Sequence, residues 1–215
     1  DDAEELRLLA AAVTTNKTDF YREPTQLPYL VDHALAPARS GGRARVWCAG
    51  CSSGEEAYTL AMQLAEHGHG VPGWTFGVLA TDISARVLAQ ARLGIYARER
   101  TTPLPEAWQS RYLRRARDET RDEVRVTPEL RSHVAFRELN FMAHAYDVPG
   151  DFDAVFFRNV AIYFDAPTQR RVIDKLRERL RPGGHLFLGQ SESLVAGVSG
   201  LERVAPSTYR DTRST

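Results

Sequence analysis

Apolar and polar positions change rhythm several times along the chain, and each change marks an element. Residues 3–13 (AEELRLLAAAV) place Leu6, Leu9 and Val13 near helical spacing, which predicts a helix. Thr14, Thr15 and Asn16 then offer side-chain oxygens that start a second helical stretch, running to about Leu35. Pro37 and Gly41-Gly42 break it. From there strand and helix alternate. ARVWCA (44–49) reads as a buried strand, Gly50 to Gly54 as a small-residue turn, and EEAYTLAMQLAEH (55–67) as a helix with Tyr58, Ala61, Met62 and Leu64 on one face. WTFGVLATD (74–82) is a second strand, and Ile83 to Leu93 a helix closed by Gly94. VAFRELN (134–140) and FDAVFFRN (152–159) are strands, and TQRRVIDKLRERL (168–180) is a helix. Pro182-Gly183-Gly184 turns the chain into HLFLGQ (185–190), and LERVA (201–205) with STYR (207–210) forms a hairpin at Pro206.

Strands alternating with helices pair in parallel, so the fold class is α/β with a doubly wound, mostly parallel sheet. Residues 103–133 interrupt the alternation. They are charged, hold Pro103, Pro105 and Pro128, contain a short VRV strand (124–126), and read as a small inserted β-subdomain at the sheet edge. Residues 1–35 read as a helical segment ahead of the main domain, 36–215. At 215 residues the chain fits one domain with an insertion and buries a full core without disulfides or metal. With 28 basic and 28 acidic residues the formal net charge is zero, which excludes a supercharged nucleic-acid or membrane-surface binder. A neutral domain without an obvious apolar patch is expected to be a monomer. Two cysteines, Cys48 and Cys51, fit a reducing cytoplasm better than a disulfide scaffold. No apolar run is long enough for a membrane span, and the opening Asp1-Asp2-Ala3-Glu4-Glu5 lacks both Met and a basic leader, which reads as a trimmed or processed start.

The segment VWCAGCSSGEEAYTL (46–60) joins a strand, a tight turn and a helix start. That is the layout of a nucleotide cradle, in which backbone N–H groups point at a ligand. It lacks the G-x-G-x-x-G spacing, which argues against a nicotinamide cofactor. Glu55 and Glu56 would repel a pyrophosphate. They either complement the helix dipole or face a cationic or hydroxyl-bearing ligand such as S-adenosylmethionine. Cys48-Ala-Gly-Cys51 has the spacing of thiol oxidoreductases, yet Cys48 ends a buried strand and the helix starts after Gly54, which fits two small apolar fillers better. His33, His67, His69, His133, His144 and His185 fall in no metal or triad pattern, and no metal is expected. Asp82 ends the second strand, where an acidic residue bonds ribose hydroxyls or caps the next helix with Ser84. Arg158-Asn159 ends an apolar strand and Asn140 ends the one before, with Tyr163 close behind. Polar groups in such places need a ligand or a network. TTNKTDFYRE (14–23) sets Asn16, Thr18 and Arg22 on one face of a turn and helix, by itself a capped helix with an exposed arginine.

Together, TTNKTDFYRE, VWCAGCSSGEEAYTLAM, ATDIS with RVLAQAR and GIY, VPGDFDAVFFRNVAIYFD and LRPGGHLFLGQSESL resemble, in order, the CheR family of S-adenosylmethionine-dependent chemoreceptor glutamate methyltransferases. The TNxTxFxR and RNVxIYF pieces are specific to that family. The resemblance implies the Rossmann-like, mostly parallel seven-stranded sheet of class I methyltransferases. It implies S-adenosylmethionine as cofactor and S-adenosylhomocysteine as product. The implied cofactor contacts are Asn16, Thr18, Arg22, Glu56 and Asp82, with Asn140, Phe141, Arg158 and Asn159 lining the adenosine pocket. Arg22 and Tyr163 lie nearest the transferred methyl and are the implied catalytic pair. The implied partners are cytoplasmic helices of chemoreceptors, with no nucleic acid and no membrane insertion. Residues 103–133 resemble the family's β-subdomain, which in some members docks a receptor C-terminal tether. RRARDETRDE (114–123) stands where those members have a glycine-containing loop, so tether docking is not expected. Of the family's N-terminal helical domain only the last helix is present, and Gln190 stands where His is common. A catalytically silent cofactor-binding regulator of the same fold is the alternative, with a thiol oxidoreductase behind it.

Overall fold

Segments that are apolar at successive positions have two faces to cover, and they pair in the middle of a sheet. In the computed structural model, which describes residues 18–35, 42–118, 120–192 and 199–213, they settle as Arg43–Ala49 (β1) and Thr75–Asp82 (β2). Three short strands follow, Ile95–Ala97 (β3), Leu113–Arg115 (β4) and Glu123–Val126 (β5). Then come Val134–Glu138 (β6), Phe152–Phe157 (β7), Leu180–Leu188 (β8), Leu201–Ala205 (β9) and Thr208–Asp211 (β10). Helices cover them: Gln26–Tyr29 (α1), Glu55–Gly68 (α2), Ala85–Leu93 (α3), Glu106–Tyr112 (α4), Pro128–Arg131 (α5) and Ala166–Glu178 (α6).

Among the described residues seven strands form one sheet in the order β6-β2-β1-β7-β8-β10-β9. β6, β2, β1, β7 and β8 run parallel, and β10 enters antiparallel between β8 and β9. The chain leaves β1 toward β2 and β6, then returns to β7 on the other side of β1. Such a reversal opens a crevice beyond the carboxyl ends of the two central strands, where ligands bind in doubly wound folds.

Alternation along β1 divides the core. Val46 and Cys48 face α2 with Leu60, Met62 and Leu64, whereas Trp47 and Ala49 face α6 with Val172, Ile173 and Leu176. Each such apolar side chain contributes about 1.5–3 kcal/mol by leaving water. Unlike an ordinary surface helix, α2 is buried on nearly every side from Glu55 to Met62. The reason is a second sheet, β3-β5-β4, whose Tyr96, Val124 and Val126 cover its outer face with Trp108 and Tyr112 of α4.

The predicted helix of residues 3–13 lies outside the described residues, and three other expectations change. The stretch expected to be helical up to Leu35 is irregular from Thr18 to Thr25: Tyr21 and Glu23 have φ of 57° and 50°, and Pro24 disfavours helical geometry at Glu23. Among the described residues helix begins only at Gln26, and it widens at once into a π turn over Leu30–Ala34, closed by Leu35 N–H on the Leu30 carbonyl at 3.0 Å. Pro182-Gly183-Gly184 does not precede a strand but bulges within one. Phe152 of β7 pairs with Leu180 before the bulge, and Ala154 pairs with His185 after it. Finally, the small sheet recruits Ile95–Ala97, which precede residue 103.

Candidate functional site

The turn after β1 is held by backbone bonds to the end of β2. Gly50 and Cys51 both donate to the Thr81 carbonyl at 2.8 Å. Gly50 has φ of 90°, and a Cβ there would stand 2.4 Å from Val160 Cγ2, so only glycine lets this turn approach the one after β7. Ser52 N–H donates to Asp82 Oδ2 at 2.8 Å, and Ser84 N–H to Asp82 Oδ1 at 3.0 Å. Burial raises the Asp82 carboxyl above its ordinary pKa, against these amide bonds, which lower it. Each carboxylate oxygen keeps spare acceptor capacity.

The two glutamates opening α2 are both buried but take different partners. Glu55 accepts from Ser53 Oγ at 2.7 Å and pairs with Arg100 at 2.7 Å; burial raises its pKa. Arg100 also donates to the Thr18 carbonyl at 2.8 Å. Glu56 receives Arg158 Nε at 3.1 Å and Nη2 at 2.9 Å, and the Cys48 thiol at 3.6 Å. The third nitrogen of Arg158, Nη1, donates to the Arg22 carbonyl at 3.0 Å, Gln26 Oε1 at 3.3 Å and the Glu23 carbonyl at 3.4 Å. The Arg158 side chain is 2% exposed, and each of its three nitrogens donates inside the protein.

Beyond β7, Asn159 has φ of 59°, and its N–H donates to Glu192 Oε2 at 2.8 Å. Gly189 N–H, just past β8, donates to the same oxygen at 2.7 Å. The other oxygen, Glu192 Oε1, and the amide oxygen Asn159 Oδ1 are buried and receive no donor from the described residues. Arg22 is half-buried and Thr18 buried, on the irregular turn that Tyr21 N–H ties to Thr59 Oγ1 of α2 at 3.1 Å. Asn140 follows β6 and accepts from Met142 N–H at 2.8 Å. The Phe141 ring packs edge-on against Phe157 at 5.2 Å, inside the core. Tyr163 is 49% exposed in a turn after β7.

The profile of the CheR methyltransferase SAM-binding domain matches residues 16–210. The chain belongs to the CheR methyltransferase family. A chemotaxis protein methyltransferase of Escherichia coli is 44% identical over 192 residues, covering 89% of this chain and 64% of that protein. Chemotaxis protein methyltransferase 2 of Pseudomonas aeruginosa is 37% identical over 205 residues, covering 95% and 73%. The chain thus spans about two thirds of the length of these relatives. The structure of the N-methyltransferase NodS from Bradyrhizobium japonicum in complex with S-adenosyl-L-homocysteine aligns at a TM-score of 0.53 and 15% identity, covering 96% of this chain and 97% of that one. That likeness shows the class I methyltransferase fold.

The CheR domain's edge fits S-adenosylmethionine. The cofactor presents ribose hydroxyls, an adenine amine and an ammonium group, all donors. The edge offers acceptors to which no described residue donates, Asn159 Oδ1 and Glu192 Oε1, and a buried carboxylate, Asp82, with capacity to spare. Hydrogen bonds join the Thr18–Arg22 turn, Glu56, Arg158 and, through Ser52, Asp82 to this crevice. The Phe141 ring is packed in the core, and the Arg158 guanidinium is held by Glu56 and the Arg22–Gln26 segment. Asn16 lies outside the described residues. Glu56, on the first turn of α2, is paired through Oε2 with Arg158. Cys48 and Cys51 are buried free thiols whose pKa values burial and nearby carboxylates push well up, which removes the oxidoreductase reading. The sequence reading assigned no role to Glu192. Its one signal was an acidic residue just past an apolar strand end, the placement that drew attention to Asp82.

Proposed function

We propose that this chain transfers a methyl group from S-adenosylmethionine to glutamate side-chain carboxylates of chemoreceptors, forming methyl esters. The observation that carries the reading is the set of buried acceptors at the carboxyl edge, Asp82, Asn159 and Glu192, in a member of a methyltransferase family. In this reading residues 36–215 form the cofactor-binding domain, the segment before them lends Thr18 and Arg22 to the site, and 103–133 with β3 form a small β-subdomain. S-adenosylmethionine, when bound, supplies an electrophilic sulfonium methyl. Asp82 takes the ribose hydroxyls, and Asn140 and Asn159 flank the adenosine. A glutamate side chain, with an ordinary pKa of about 4.3, is already ionised at neutral pH, so no residue has to remove a proton. The protein's work is orientation and exclusion of water. Arg22 contacts the cofactor and turns its guanidinium fork to the acceptor carboxylate. Tyr163 meets it from the rim, where Met142 and Ile162 are also exposed, as suits a protein substrate.

The test is calorimetric binding of S-adenosylhomocysteine followed by transfer of labelled methyl to a chemoreceptor cytoplasmic fragment. Micromolar binding and base-labile label on the fragment are expected. Tyr163→Phe lowers turnover while leaving product affinity within about twofold. Binding with no label on the fragment would leave only a silent cofactor binder.

A further inference from the structure

We infer that Arg158 is a positioning residue that sets Arg22 against the cofactor cradle. This rests on the reading of Arg22 given above. One edge of the Arg158 guanidinium grips Glu56 on the first turn of α2, and Nη1 reaches the carbonyls of Arg22 and Glu23. Two consecutive carbonyls converge on one nitrogen because Tyr21 and Glu23, on either side of Arg22, both hold left-handed backbone. Non-glycine residues keep that geometry only where the surroundings fix it. The same turn is pinned elsewhere at its flank: Gln26 Nε2 donates to the Leu188 carbonyl at 2.8 Å, and Gln190 N–H donates to Glu23 Oε2 at 3.0 Å. Arg158 is the group that joins the turn to α2 and β7 at once. A planar fork with fixed donors does this; a single ammonium cannot serve both edges.

In this arrangement each Arg158 nitrogen donates to protein, and Arg158 acts through Arg22. Arg158→Lys keeps the charge beside Glu56 and gives up the second edge. In the cofactor-free chain, amide hydrogen exchange of residues 20–27 then quickens by at least about tenfold while β1 and β7 amides keep their protection. S-adenosylhomocysteine affinity falls about ten- to hundredfold. In an Arg22→Ala background the same lysine costs less than about threefold, because the group being positioned is gone. Losses that multiply in the double variant, or exchange in the turn that stays as in wild type, would overturn the inference. If the lysine variant fails to fold, Gln26→Met removes one Nη1 acceptor together with the Leu188 tie and leaves the Glu56 pair intact, and Gln26→Glu, which keeps an acceptor for Nη1 and loses only the Leu188 tie, is its control; the methionine but not the glutamate loosens the same amides and couples to Arg22→Ala, and equal behaviour of the two overturns the inference. A wild-type chain that binds no S-adenosylhomocysteine would refute the proposed function, and the exchange data would still decide whether Arg158 holds the turn.

Discussion

At the carboxyl edge of the large sheet, Arg158 and Glu56 meet at 2.9 Å with side chains 2% and 10% exposed; beside the small sheet, Arg98 and Asp122 meet at 3.7 Å with side chains 53% and 79% exposed. The two pairs have the same chemistry and opposite settings. Water screens the second pair, and both its side chains give up rotamer freedom to meet. In the first, each charge is costly to bury alone, so each fixes the position of the other. Charge in this molecule therefore determines shape where it is buried, and mainly dresses the surface where it is not.

The largest test of that contrast removes one buried partner. Glu56→Ala strands Arg158, and denaturant unfolding is expected to report a loss of about 3–5 kcal/mol. A loss below about 1 kcal/mol would erase the distinction between the two regions. An intermediate case is a buried polar group with no ionic partner. Burial, with smaller contributions from Arg181, Arg210 and His33, pulls the His185 pKa from 6.5 down to about 4, and its Nδ1 has no hydrogen-bond partner among the described residues. The folded protein holds this ring neutral while the unfolded chain protonates it. Stability is then whole above about pH 6.5, declines as pH falls toward 4 and levels below, amounting to at most about 3 kcal/mol. His185→Gln should flatten the profile over that window, and an unchanged slope would assign the acid sensitivity to other groups. Next, Asp82→Ala should weaken S-adenosylhomocysteine binding about ten- to hundredfold by calorimetry, the worth of charge-assisted hydrogen bonds at a buried site. Unaltered affinity would detach Asp82 from the ligand and leave it a tie for Ser52 and Ser84. Smallest is Arg98→Ala, expected to move unfolding by no more than about 0.5 kcal/mol. A larger change would mean that the small sheet uses its surface charges structurally.

What the sequence disclosed follows the range of the forces involved. β1, the small-residue turn, α2, β2 and α3 were legible because period and turn chemistry are local. Asp82 was legible because its place after a buried strand is local too. The Arg158–Glu56 pair joins residues 102 apart, and nothing near Arg158 announces it. Arg158 therefore read only as a polar group in need of a ligand or a network, and the network it joins lies far away in sequence. The Thr18–Thr25 segment read as helix because the backbone bonds it surrenders are replaced by distant donors, Arg100 and Arg158. Pro182-Gly183-Gly184 read as a turn because pairing with β7 on both sides of the bulge is a tertiary fact.

The placement of β10 inside the sheet sets an order for synthesis. β8 ends at Leu188, yet its outer neighbour is complete only at Asp211, 23 residues later. At about 5–20 residues per second, a ribosome needs about 1–5 s to deliver them. Through that interval β8 presents a bare, apolar parallel edge to the cell, the kind of edge that recruits other chains. A nascent chain stalled after β8 should therefore be a stronger chaperone client than one stalled after β10.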